Sequence, residues 1–263
     1  DAVARVAFAC AAALVGLVAS VFHLGRPLLA WRALLGLRTS WLSREALALG
    51  LFAGLAILYG ALLVLPLVPA AIPYGSRLAA AAPAVGITAA LVGALGVLSS
   101  VMVYVATRRP HWSAGETGPR FLGTTLLLGA ATAIAARSTV AGPAIELAVQ
   151  PAGTLWLIYA TAALKIALEV RALSHARDPR VSALTRRASL MLGPLRTVTA
   201  ARLVAIAVGG LLVPMWLASG APAPGEIRLA ACAMLLFLTL GELLERILFF
   251  SAAPASRMPG AIP

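Results

Sequence analysis

Acidic side chains are scarce in this chain, with nine Asp and Glu in 263 residues, and lysine is nearly missing, since 20 of the 21 basic residues are arginine. Charged residues of either sign make up only 11%, against 61% hydrophobic. A soluble domain of this size could not cover that much apolar surface with so little charge, so the expected solvent is lipid. Two cysteines exclude a disulfide framework, and neither Cys10 nor Cys232 has His or carboxylate at ligand spacing, so both read as small core hydrophobes. The three histidines, His23, His111 and His175, all fall at or beyond the ends of apolar runs. A membrane haem needs facing axial ligands at matched depth, so no haem is expected. The apolar runs also lack the polar alternation of a membrane β-barrel.

What is present is a series of long apolar windows. Seven helical spans are predicted: Val3 to Leu24, Glu45 to Val68, Leu78 to Thr107, Phe121 to Ala136, Thr154 to Leu173, Thr197 to Ala218 and Ile227 to Phe250. The fold class is therefore an all-α polytopic transmembrane bundle, read as one integral domain over residues 1–263. The first run lacks a basic leader and a small-residue cleavage site, so it reads as a span and not as a signal peptide. Small residues stud the spans (Gly86, Ala89, Ala90, Gly93, Gly96), which permits close helix approach.

The net charge of +12 would suggest nucleic acid in a soluble protein. Here the arginines gather in alternate loops: four from Arg26 to Arg44, three from Arg108 to Arg120 and six from Arg171 to Arg196. The opposite side offers only Arg5, Arg77, Arg137 and Arg228. By the positive-inside rule the rich loops are cytoplasmic, and no nucleic-acid partner is implied.

The densest connection is HLGRPLLAWRALLGLRTSWLSRE, from His23 to Glu45. Ser43 would cap the following helix, with the Glu45 carboxylate favoured by the helix dipole. The alternative is proton exchange at a quinone site, because quinone chemistry moves two protons with two electrons and needs a titratable group plus a donor to the carbonyl. His23 and Glu45 bracket the connection, with Arg44 or Trp41 as donor or wall, and Tyr104 one turn from Arg108 as a further lining residue. Lys165 and Glu169, and likewise Glu242 and Arg246, are spaced to neutralise one another within a helix. TRRPHW, Thr107 to Trp112, suits an interfacial anchor and equally a docking surface for an acidic or iron-sulfur partner.

Together the stretches FHLGRPLLAWRALLGLRTSWLSRE, VYVATRRPHW, LLFLTLGELLERILFF and, more weakly, LGPLR resemble the membrane anchor of dimethyl-sulfoxide-reductase-type molybdoenzymes, within the polysulfide reductase anchor superfamily. They are spread from the first span to the last. The resemblance implies a multi-pass subunit of the bacterial cytoplasmic membrane with no redox metal of its own. It would pass electrons between menaquinone or ubiquinone and an iron-sulfur subunit, which serves a molybdopterin catalytic subunit. The family's quinol-handling histidine and glutamate match His23 and Glu45. Arg26, Arg32, Arg38, Arg108, Arg109 and Trp112 are the expected docking residues. The family typically has eight spans, so the chain is expected to begin at what would be the second. Basic loops on the cytoplasmic side favour the sulfite-oxidising branch over an exported dimethyl sulfoxide reductase. A transporter would show repeats and paired helix breaks, which are not found, and a passive scaffold would differ only in lacking a quinone site.

Overall fold

A computed structural model describes residues 11, 15–16, 27–67, 75–140, 152–219 and 224–253. Among these, six helices are long and apolar enough to cross a membrane: Trp41–Val64, Arg77–Val105, Pro110–Ser138, Gly153–Arg177, Arg196–Ala218 and Gly225–Ser251. They correspond to the second through seventh expected spans. The first, Val3 to Leu24, falls almost wholly outside the described residues, as do His23, Arg26 and Cys10.

The chain divides into two compact units, residues 1–107 with 139–141, and residues 108–138 with 142–263. In the first, a 3-10 segment (Pro27–Gly36) leads into α1 (Trp41–Val64), and a short α2 (Gly75–Ala79) precedes α3 (Ala82–Val105). Helix α1 starts earlier than expected. Ser40 is extended (φ −114, ψ 122) and its hydroxyl accepts the Ser43 N–H at 3.3 Å, so Ser40, not Ser43, is the cap. Ser43 lies in the first turn and is buried, which leaves Glu45 one turn inside the helix.

Helices α1 and α3 pack as an antiparallel hairpin whose register is set by glycine. A Cβ on Gly96 would stand 2.6 Å from Leu49 Cδ2, one on Gly93 2.9 Å from Phe52 Cδ2, and one on Gly86 3.0 Å from Tyr59 Cε2. Each step forward on α1 is matched by an equal step back on α3, and the large side chains of α1 fill the notches left by the glycines. Ala89 is buried, whereas Ala90 is exposed and takes no part.

The second unit comprises α4 (Ala114–Val140) up to Ser138, α5 (Ala152–Ser174), a short α6 (Ala183–Leu192), α7 (Arg196–Ala207), α8 (Val213–Ala218) and α9 (Pro224–Ser251). Between α7 and α8, Val208–Leu212 forms a π-helical turn. Pro214 follows it, without an N–H to continue the α-helical ladder, and Gly209 and Gly210 let the widened turn lie against neighbouring helices. The apolar core of the unit is built from Leu127, Ala131 and Ile134 of α4, Ile158 and Ala162 of α5, Ile206 of α7, and Met234 and Leu238 of α9. Cys232, expected inside, is exposed on α9, because the buried face of that helix is taken by Ala231, Met234 and Leu238.

Candidate functional site

The first unit gathers chemistry at the end of the hairpin where α1 begins and α3 finishes. Ser100 on α3 donates to Glu45 Oε1 at 2.5 Å, and also bonds the Gly96 carbonyl at 3.2 Å. The pair continues the hairpin register by one more step beyond Leu49 and Gly96. Glu45 is therefore held across the helix interface by a neighbour's hydroxyl, which a helix-start residue serving the dipole alone would not require. The same register puts Tyr104, one turn past Ser100, level with Trp41.

Arg44 secures the approach to this end. Its Nε and Nη2 donate to the Leu37 and Arg38 carbonyls at 2.9 Å each, tying down the loop ahead of α1, and its guanidinium lies 4.3 Å from the Trp41 ring centroid. Two of its donors are thus committed to the backbone, which makes Arg44 an organiser of the loop and leaves Trp41 as a rigid wall. Ser100 was not expected from the sequence. The signal was Ser99 and Ser100 in tandem inside an otherwise apolar span.

Of the expected docking residues in this unit, Arg32 and Arg38 are exposed, Arg32 with its guanidinium 5.9 Å from the Trp31 ring. In the second unit Arg108 and Arg109 are exposed. Arg108 adopts a positive φ of 56°, a strained left-handed conformation that turns the chain at the end of α3. Trp112 stacks on Phe249 at 5.6 Å and donates Nε1 to the Phe249 carbonyl at 3.4 Å, while Arg109 covers its ring at 5.0 Å. Trp112 is therefore pinned to α9 and can present only part of its surface to a partner.

The largest concentration of charge lies elsewhere, inside the second unit. Arg120 donates to Glu169 at 2.9 Å and Glu245 at 3.3 Å. Lys165 contacts Glu242 at 2.6 Å and Glu245 at 2.8 Å, and Arg202 contacts Glu245 at 2.9 Å. All six are at least 96% buried, three cations against three carboxylates. Thr124 joins by donating to the Arg120 carbonyl at 2.8 Å and accepting from Lys165 at 2.9 Å and from Arg246 at 3.1 Å. Towards the loop side, Glu116 pairs with Arg171, stands 3.7 Å from Arg120 and lies 4.0 Å from Arg187. Burial, followed by the neighbouring Arg120 charge, pushes the Arg187 pKa below its ordinary value.

This network corrects the expected pairing of Lys165 with Glu169 inside one helix. Both side chains point into the bundle, where partners on α4 and α9 come closer than a neighbour one turn away. Arg120, expected in a loop, is the seventh residue of α4 and buried. Its charge and that of Glu116 depressed the local hydropathy, and so hid the early start of the helix. Arg202 carried a legible signal, an arginine within an apolar span.

Among the described residues no group of three or more His, Cys, Asp or Glu could hold a metal ion. Comparison with known proteins found that the profile of the DMSO reductase anchor subunit (DmsC) family matches residues 1–252. A sulfite dehydrogenase subunit from Allochromatium vinosum is 40% identical over 92 residues, which is 35% of this chain and 26% of that protein. The aligned stretch thus spans about a quarter of that relative's length. No solved structure matches.

Proposed function

Because the chain belongs to the DMSO reductase anchor subunit family, we propose that it is the quinone-interacting subunit of a molybdopterin oxidoreductase complex in a bacterial cytoplasmic membrane. It exchanges electrons between the quinone pool and an iron-sulfur subunit that serves a molybdopterin subunit. Iron-sulfur clusters and molybdopterin belong to those partners. The observation that carries this reading is the Glu45–Ser100 pair, a carboxylate fixed across a helix interface at the same end as Trp41 and Tyr104.

A quinol that becomes a quinone releases two electrons and two protons, and the reverse reaction takes up both. Glu45 is the group that exchanges a proton with the ring oxygen, and the Ser100 hydroxyl holds its carboxylate at a defined angle. Trp41, braced by Arg44, forms one wall for a flat ring, and Tyr104 contributes a phenol at the same level. His23 is the second proton-exchanging group. Aromatic Trp41 and Tyr104 beside a single carboxylate are the side chains that would hold a flat quinone headgroup and trade its protons.

Arg32 and Arg38 in the first unit, and Arg108 and Arg109 in the second, carry exposed positive charge for the iron-sulfur subunit, with Arg26 as a further contact. The sulfite-oxidising type is favoured within the family by the cytoplasmic reading of the arginine-rich loops and by the similarity to a sulfite dehydrogenase subunit. A photoreactive quinone analogue applied to the intact complex tests the reading. Saturable labelling in the peptides holding Trp41 to Glu45 or Tyr104, displaced by unlabelled quinone, is expected. Labelling that is not displaced, or that falls only in the second unit, would overturn it.

A further inference from the structure

We propose that the second unit contains a one-sided hydrated ionic well, whose occupants are water molecules and the protons they carry. It opens on the side of the loop at residues 108–113 and ends blind near Lys165 and Glu242, where apolar side chains seal it. This goes beyond the quinone reading and does not depend on it.

The first support is continuity. At the rim the Arg171 side chain, 56% exposed, pairs with Glu116; Arg187, which donates to the His111 carbonyl at 3.4 Å, stands 4.0 Å from the same carboxylate, and Glu116 stands 3.7 Å from Arg120. From Arg120 the contacts run to Glu245, then to Lys165 at 2.8 Å and from there to Glu242 at 2.6 Å. Every link is an ionic or hydrogen-bonding contact.

The second is depth. Thr124 lies ten residues into α4, Lys165 nine residues before the end of α5, and Glu242 nine before the end of α9. At about 1.5 Å per residue each is some ~14 Å from the same face of the unit. That is about half of a ~30 Å hydrocarbon core. Beyond this level the same three helices carry Leu127, Ala131 and Ile134, Ile158 and Ala162, and Met234, each no more than 1% exposed. No titratable side chain continues the file among them.

The third is unmet hydrogen bonding. Arg120 Nε, Arg202 Nε and Nη1, Glu169 Oε1, Thr117 Oγ1 and both ring nitrogens of His111 are buried without a hydrogen-bond partner among the described residues. Buried polar groups are satisfied in native proteins, and scattered single positions beside one another are what internal water fills, each molecule bridging two to four groups. A bulkier ligand would have to displace contacts that the charges already make with each other. Water along such a file moves protons to and from the loop side, while the apolar plug stops them from crossing.

The test uses the full chain in its native membrane, stripped of the subunits docked on the loop side, with Cys10 and Cys232 replaced and single cysteines introduced at Thr117, Thr124, Ala131 and Ile134. A small charged methanethiosulfonate, which reacts with the thiolate in water, is added to vesicles of either orientation. Thr117→Cys and Thr124→Cys should react at least 100-fold faster than Ala131→Cys and Ile134→Cys, and only from the loop side. Inert Thr117→Cys and Thr124→Cys would show a dry network, and a reactive Ala131→Cys would show a channel open past the plug. The unsubstituted protein provides a second measurement should a variant fail to assemble. Transferred to heavy water, its arginine infrared bands should shift completely within minutes, the buried guanidiniums included, and it should not speed the decay of a pH gradient across vesicles. A fraction of the arginine signal left unshifted after hours, or a gradient that collapses, would overturn the proposal.

Discussion

Glu45 on α1 accepts a hydrogen bond from the Ser100 hydroxyl on α3 at 2.5 Å, across an interface whose spacing is set by Gly96 against Leu49. The short contact depends on the close approach of the two helices, since a serine hydroxyl reaches little beyond its own Cβ. A glycine notch, a hydroxyl and a carboxylate thus act together at one end of the hairpin.

Removing the hydroxyl should disturb the carboxylate without removing it. A hydrogen bond to a charged group contributes about 1.5–3 kcal/mol. Ser100→Ala is therefore expected to lower quinone-coupled turnover by about tenfold or more, while Ser100→Thr, which keeps a hydroxyl, retains most of it. Steady-state turnover with a short-chain quinone, alongside quantified complex in the membrane, measures this.

The π-helical turn makes a packing prediction. A Cβ on Gly210 would stand 2.5 Å from the Ala162 Cβ, an atom that cannot swing away, whereas Gly50 has nothing within 4 Å. Overpacking of this kind costs about 1–3 kcal/mol. Gly210→Ala should lower the thermal midpoint of the purified protein, while Gly50→Ala should leave it unchanged or raise it slightly, because alanine favours helix.

The buried network predicts a strong non-additivity. Arg202→Leu leaves Glu245 short of one cation in a low-dielectric interior, and breaking a buried pair costs about 3–5 kcal/mol. Arg202→Leu combined with Glu245→Leu restores balance, with Arg120 and Lys165 facing Glu169 and Glu242. The double variant should be more stable than Arg202→Leu alone in a thermal or denaturant titration. Additive losses would mean that the charges act independently.

Arg108 separates backbone from charge. Glycine suits its positive φ, so Arg108→Gly should leave the fold intact or slightly stabilised. If the exposed guanidinium docks the iron-sulfur subunit, the same change weakens assembly at low salt, and the difference from the unsubstituted protein shrinks at high salt, where that attraction is already screened. Co-purification of that subunit at two salt concentrations reads the effect.

The helices were legible because lipid makes apolar length itself the signal, and six of the seven expected spans appear as helices among the described residues. The neighbours of each helix were not. The spacing of Lys165 and Glu169 gives their shared face, but it cannot say that Glu242 and Glu245 of α9 lie closer than the next turn. The cap was misread because Ser43 and Ser40 both precede good helix formers, and only the extended backbone at Ser40 distinguishes them. Trp41, Arg44 and Glu45 stand out in the sequence because charge and aromatics beside a span are costly without a role, and the helix register adds that Tyr104 lies level with Trp41. Ser100 escaped because serine is common in membrane helices, so the Ser99–Ser100 tandem gives only a weak signal.

Glu45→Gln in the intact complex is the most direct measurement. Glutamine keeps the shape and can still accept from Ser100, but it cannot exchange a proton, and loss of a general acid or base slows a reaction by about 10²-fold or more. Quinone-coupled turnover is predicted to fall by that factor while the complex assembles normally and its catalytic subunit still works with an artificial electron carrier. Near-normal quinone-coupled turnover in Glu45→Gln would contradict the account.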